Sequence, residues 1–202
     1  MIVSSMTYDE LRKEVLGDVE FAKRKSLYIE VELEKKMRKE KLKTYTHIYD
    51  YVSPKKNKWI VKMEIGKKEV ARTFVTYFYS DNKIAAVQIL DNQVILYYTT
   101  HFFTRYKERL KLDIIKPDDI IRKYLRDSSN FVPKVLETDD TLSKMFIVCE
   151  QGIILGTLHQ KSFICKMNTF LSPDMLKPDQ FEMEKIMKER LTRYNKDSGR
   201  FD

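Results

Sequence analysis

The 202-residue chain is poor in cysteine, glycine and proline, of which it has two, five and five. Cys149 and Cys165 are too few for a disulfide framework or a four-thiolate metal site. The scarcity of glycine and proline excludes collagen-like and low-complexity architectures. No apolar run approaches the roughly 20 residues that cross a bilayer, and the stretch before Thr7 is too short for the apolar part of a signal peptide. These absences predict a soluble, cytoplasmic protein with no membrane partner.

Histidine is also scarce, and the three histidines are scattered along the chain. Together with two cysteines they do not form the spacing of a zinc site. The sequence has no glycine-rich phosphate loop, no paired-carboxylate motif and no Gly-x-Ser-x-Gly nucleophile elbow. We therefore expect no metal and no cofactor.

Positive charge is in excess, with 38 Lys+Arg against 30 Asp+Glu, a net charge of +8 and a pI near 9.2. The excess is spread almost evenly between the two halves of the chain, which argues against one extended duplex-binding face. The densest basic run contains Lys35, Lys36, Arg38 and Lys39. This run is either the solvated face of a helix or a surface that contacts the phosphate backbone of RNA or another nucleic acid.

Residues 1–44 are predicted to form an N-terminal helical segment. Thr7 and Glu10 have the spacing of a capping box, and apolar residues then recur at helical intervals. Gly17 and Asp18 are expected to interrupt this helix. The apolar stripe becomes thin toward the basic run, so the last turns are predicted to be exposed or to lie against a protein partner or a second copy of the chain.

Residues 45–202 are predicted to form a single α+β domain with a mainly antiparallel sheet. Its parts in order are a four-strand meander (57–99), a central pair of helices (100–128), further strands (133–170) and a C-terminal helix (178–194). Short polar turns, such as those at 67–68 and 91–92, separate the strands and leave no room for crossover helices. The segment around His47, rich in tyrosine, is expected to be a loop.

One helix carries residues suited to chemistry. His101, Arg105 and Arg109 lie within about 80° of one another at 100° per residue, so they share one helix face. Histidine exchanges protons near neutral pH, and arginine offers forked donors to phosphate oxygens. This combination suits the cleavage of a phosphodiester without a metal ion.

The same residues carry a family resemblance. Thr100-His101, the run Arg105 to Arg109 and the helix that begins at Pro117 resemble the RelE/barnase-like (BECR) superfamily of metal-independent bacterial ribonucleases and toxins. The resemblance covers residues 99–176. It implies a His-x3-Arg-x3-Arg helix, a second helix and an antiparallel sheet whose late strand carries a hydroxyl, here Thr169. It also implies that His101 is the general acid or base, that Arg105 and Arg109 hold the scissile phosphate, and that Thr169 hydrogen-bonds a phosphoryl oxygen.

Two other interpretations stay open at this point. In one, His101 is a histidine at the start of the helix that packs near the edge of the sheet, and the arginines pair with Glu108 or Asp113. In the other, the protein is a non-catalytic module, of bacterial or mobile-element origin, that binds nucleic acid or a protein partner through its basic N-terminal helix. A homo-oligomer formed through that helix belongs to the same alternative.

Overall fold

A computed structural model describes residues 1–66, 69–90, 94–128 and 130–197. The turns predicted at 67–68 and 91–92 lie outside these residues. The described helices are α1 (Tyr8–Glu40), α2 (Thr100–Arg109), α3 (Asp119–Asp127) and α4 (Pro178–Asp197). The described strands are β1 (Tyr45–Val52), β2 (Lys58–Ile65), β3 (Val70–Ser80), β4 (Lys83–Ile89), β5 (Ile95–Tyr98), β6 (Phe131–Thr138), β7 (Leu142–Cys149), β8 (Gly152–His159) and β9 (Ile164–Leu171).

All nine strands belong to one sheet, in the order β1-β2-β3-β4-β5-β9-β8-β7-β6. Each meander, β1–β5 and β6–β9, is antiparallel, and the two meet through a parallel pair in which Ile95 of β5 lies beside Ile164 of β9. The segment with α2 and α3 connects the meanders. The α+β class, the mainly antiparallel sheet, the N-terminal helix, the central helix pair and the C-terminal helix are thus confirmed.

Helices cover both faces of the sheet. The helix-pair face is covered by α2 and α3, whose buried aromatic and aliphatic side chains form one core with β2–β5 and β7–β9. The long-helix face is covered by α1 over β2 and β3, and by α4 over β6 and β7. Because α1 shares a core with β2–β5, the N-terminal segment is an integral layer of the fold. Each large apolar side chain buried in these layers contributes on the order of 1.5–3 kcal/mol.

The first helix is continuous, so the expected interruption at Gly17 and Asp18 is wrong. Thr7 and Glu10 form the predicted capping box. Asp18 is fully buried and accepts hydrogen bonds from Trp59 and Asn57, which offset the weak helix propensity of this position. The last turns also pack against the sheet, since Met37 is 8% exposed.

The four-strand meander predicted for residues 57–99 lacks the edge strand β1. The sequence around His47 predicts a loop, but the structure has β1 there, and this strand pairs with β2 along its whole length. Its tyrosines alternate with Thr46, Ile48 and Asp50, so the tyrosines and His47 share the long-helix face. An edge strand tolerates this mixture of polar and aromatic residues because only one face packs tightly.

Candidate functional site

The helix that carries His101, α2, begins directly after β5, a central strand of the sheet. The side chain of Thr99 caps α2 by accepting a hydrogen bond from the backbone N–H of Phe102 at 3.1 Å. The same hydroxyl lies 3.2 Å from the carbonyl oxygen of Met167 and 3.3 Å from that of Asn168, where it donates. The first turn of α2, which includes His101, is therefore fixed to β9.

The inner face of α2 is entirely aromatic. Phe102, Phe103 and Tyr106 are at most 2% exposed. They pack edge-on or stacked with one another and with Tyr124 of α3 and Phe170 of β9. This packing fixes the rotation of the helix and so determines which residues point away from the core.

The outer side of α2 carries His101, Arg105 and Arg109. His101 is exposed, and Arg105 forms an ion pair with Glu108 at 2.7 Å. Arg109 is partly buried, and its Nη1 atom is buried without a hydrogen-bond acceptor among the described residues. Burial, followed by the neighbouring charge of Arg105, lowers the pKa of Arg109, and Glu108 offsets part of this effect. The outer side of α2 therefore presents the adjacent guanidiniums of Arg105 and Arg109 together with the carboxylate of Glu108.

Thr169 lies on the other face of the sheet. A bulge in β9 places Thr169 opposite Leu155, which packs against the α4 core, whereas the next residue, Phe170, packs under α2. The Thr169 side chain is therefore separated by the sheet from the inner face of α2. The backbone of Met167 and Asn168 at this bulge accepts the hydrogen bonds from Thr99, so Thr169 directly follows the point of β9 that anchors α2.

A polar strip on β8 and β9 was not identified from the sequence. On the long-helix face, between the strands covered by α1 and α4, these central strands carry Thr157, His159, Lys166 and Asn168. Asn168 donates to the hydroxyl of Thr157 at 2.9 Å. Burial, and then the charge of Lys166, lower the pKa of His159. The alternation of polar and apolar residues along both strands is the signal that points to this strip.

His159 also contacts the start of α1. Its ring lies 4.6 Å from that of Tyr8, centroid to centroid, in an edge-on arrangement. Tyr8, His159 and Lys161 line a cleft of about 370 Å³. This cleft joins the polar strip to the N-terminal end of α1.

The four basic residues proposed to contact nucleic acid lie in the last turns of α1. Lys36 donates to the Tyr45 hydroxyl at 3.0 Å and lies over that ring, and Arg38 pairs with Glu34 at 3.2 Å. Lys35 and Lys39 are exposed and have no acidic partner within the described residues. Two of the four cations are therefore free to meet an anion.

No group of three or more His, Cys, Asp or Glu side chains among the described residues has the arrangement of a metal site. Both cysteines are buried and free. Burial raises the pKa of each thiol, that of Cys165 to about 11, so neither is suited to act as a nucleophile.

No helix in the described part of the chain is long and apolar enough to cross a membrane. No protein-family model, curated protein or solved structure matches the chain.

Proposed function

We propose that this protein is a metal-independent endoribonuclease that binds RNA at the outer side of α2. The observation that carries the proposal is the buried, unpaired Nη1 of Arg109 beside the guanidinium of Arg105. A buried donor without an acceptor costs about 1–3 kcal/mol, and a phosphate oxygen removes this cost when it binds. A pair of adjacent cations also favours a phosphodiester group, whose two non-bridging oxygens share the negative charge.

The ion pair of Arg105 does not oppose this role. The side chains of Arg105 and Glu108 are 43% and 52% exposed. Such a surface pair is worth about 0–1 kcal/mol, so Arg105 exchanges Glu108 for a phosphate at little cost.

His101 supplies the proton chemistry in this proposal. Its imidazole takes the proton from a ribose 2′-hydroxyl, and the resulting oxygen attacks the adjacent phosphorus. The bond from phosphorus to the 5′-oxygen breaks, and that oxygen takes a proton from solvent. The products are a 2′,3′-cyclic phosphate and a 5′-hydroxyl end, and the two arginines stabilise the charge that develops on phosphorus.

The order of elements also supports the proposal. The helix with His101 is followed by α3 and then by the four antiparallel strands β6–β9, which is the order that the BECR resemblance implies. Thr169 lies on the opposite face of the sheet, so it takes no part in the site proposed here.

The test is cleavage of a single-stranded RNA in the presence of EDTA, with product ends analysed by mass spectrometry. We expect cyclic phosphate ends from the wild type and a 10²–10⁴-fold lower rate for His101→Ala. Arg109→Ala should weaken RNA binding, whereas Arg126→Ala, a control that removes an exposed cation from α3, should not. Absence of cleavage, or equal rates for wild type and His101→Ala, overturns the proposal.

A second candidate, a non-catalytic nucleic-acid-binding module, is favoured by the free cations Lys35 and Lys39. A gel-shift experiment at two salt concentrations distinguishes it. Loss of salt-sensitive binding in Lys35→Glu/Lys39→Glu, with binding retained in Arg105→Ala/Arg109→Ala, supports this module. The opposite pattern supports the α2 site.

A further inference from the structure

The side of α1 that points away from the sheet carries an apolar patch. Leu27, Tyr28 and Val31 are 56%, 74% and 52% exposed, although they lie in the middle of a helix whose opposite face is buried. The patch also has open space beside it, since Leu27 and the neighbouring Arg24 line one wall of a cleft of about 870 Å³ between α1 and the start of β3.

The patch continues into a regular seam. The seam residues follow one another at alternating intervals of four and three positions, which is the spacing of the contact positions in a coiled coil. They share an arc of about 80° on the helix. The seam residues are Glu20, Arg24, Leu27, Val31, Glu34 and Arg38.

We propose that α1 pairs with α1 of a second copy of this chain, in antiparallel orientation, about a two-fold axis near residue 29. In this register Leu27 meets Val31 of the partner subunit, Arg24 meets Glu34 of the partner subunit, and Glu20 meets Arg38 of the partner subunit. Every seam position then faces an apolar residue or an opposite charge. A parallel pair instead places Arg24 against Arg24 of the partner subunit and Glu34 against Glu34 of the partner subunit, so charge complementarity selects the antiparallel dimer.

The ion pairs that the charged seam residues form within α1 do not prevent this dimer. Glu20 pairs with Lys23, and Glu34 with Arg38, within the same helix and at exposed positions, where such pairs contribute a few tenths of a kcal/mol. Only two apolar seam positions per chain are buried, so the dimer is expected to be reversible and to weaken as salt rises. The dimer forms on the long-helix side of the sheet and leaves α2 accessible. It therefore does not depend on the proposed ribonuclease activity.

Sedimentation equilibrium over a range of concentrations tests the dimer. The wild type should associate, and Arg24→Glu should be monomeric because it faces Glu34 of the partner subunit. The double variant Arg24→Glu/Glu34→Arg should associate again. Ile115→Glu is a matched control, since Ile115 is 93% exposed outside α1 and should not affect association. Arg24 and Ile115 are exposed and the side chain of Glu34 is 42% exposed, so circular dichroism should show unchanged folding. A wild type that is monomeric throughout, or a double variant that does not recover, overturns the proposal.

Disulfide trapping tests the orientation. Cys149 and Cys165 are 0% and 4% exposed and should not compete under native conditions. A mixture of Leu27→Cys and Val31→Cys chains should cross-link to each other, because a disulfide requires Cα atoms about 4.4–6.8 Å apart. Efficient cross-linking of Leu27→Cys with itself indicates a parallel pair and overturns the antiparallel register.

Discussion

The carboxylate of Asp18 accepts a hydrogen bond of 2.8 Å from the indole Nε1 of Trp59. Both side chains have no exposed surface. The same oxygen accepts a second hydrogen bond, 2.9 Å long, from the side-chain amide of Asn57. The buried carboxylate of Asp18 in α1 thus binds two donors, Trp59 of β2 and Asn57 of the loop before that strand.

Asp18→Ala is expected to destabilise the protein by about 3 kcal/mol, because it leaves the indole N–H of Trp59 buried without an acceptor and removes one of the two acceptors of the Asn57 amide, the other being Glu14. Asp18→Asn keeps an acceptor oxygen and should cost less. Urea denaturation can be followed by the fluorescence of Trp59, the single tryptophan of the chain. Glu32→Ala, at an exposed position of the same helix, is the control and should change the free energy of unfolding by less than about 0.5 kcal/mol. Equal losses for Asp18→Ala and Glu32→Ala contradict the role assigned to Asp18.

Asp18 also shows why part of the fold escaped sequence-based prediction. Glycine followed by aspartate weakens a helix locally, and this local preference predicted an interruption. The buried partners Trp59 and Asn57 come from a segment about forty residues away, and no local pattern identifies them. Edge strand β1 was missed for a related reason, because its pairing with β2 stabilises a sequence that by itself resembles an aromatic loop.

The candidate site likewise has one part that the sequence predicts and another that it does not. The shared side of His101, Arg105 and Arg109 follows from helical periodicity, so it was predictable from spacing. The face on which Thr169 lies depends on a bulge in β9, and one extra residue in a strand reverses the facing of those that follow. The polar strip around Lys166 is uncovered because α1 and α4 pack on other strands of that face, an arrangement that the alternation along β8 and β9 does not by itself predict.

Substitution by alanine should change the stability of the protein in opposite directions at Gly17 and at Gly152. Gly17 lies on the exposed side of α1, and a Cβ there meets nothing closer than Lys55 Nζ at 3.7 Å. Gly17→Ala should therefore stabilise the protein by up to about 1 kcal/mol through helix propensity. At Gly152 a Cβ falls 2.3 Å from the carbonyl oxygen of Leu171 and 2.8 Å from the ring of Phe170.

Gly152→Ala should accordingly destabilise the protein by about 2–3 kcal/mol, since a backbone carbonyl in the sheet cannot move aside cheaply. Thermal denaturation of both variants beside the wild type gives the two shifts. A melting temperature for Gly152→Ala equal to that of the wild type contradicts the close approach of β8 and β9 at this point.

An ion-pair network joins α3 to the edge strand β1. Arg122 donates to Asp118 at 2.6 Å and to Asp119 at 3.2 Å, and it also pairs with Asp50 of β1. Burial raises the pKa of Asp118, but the hydrogen bond from Arg122 and the nearby positive charges outweigh it, so the pKa lies below its ordinary value of 3.8. A lowered carboxyl pKa stabilises the folded protein above pH 3.8, and this contribution is lost as the pH falls through the folded-state value.

Arg122→Ala is therefore expected to lower the free energy of unfolding by about 1 kcal/mol near neutral pH, a modest value because Asp50 and Asp119 are largely exposed. The difference from the wild type should shrink below pH 3.8, where Asp118 becomes protonated in the wild type as well. Arg126→Ala, which removes an exposed cation from the same helix, should match the wild type at both pH values. Urea denaturation of the three proteins at neutral and acidic pH provides the measurement. A difference for Arg122→Ala that stays constant over this range means that Arg122 stabilises α3 through the packing of its side-chain stem, because a contribution from its charge must disappear with that of Asp118.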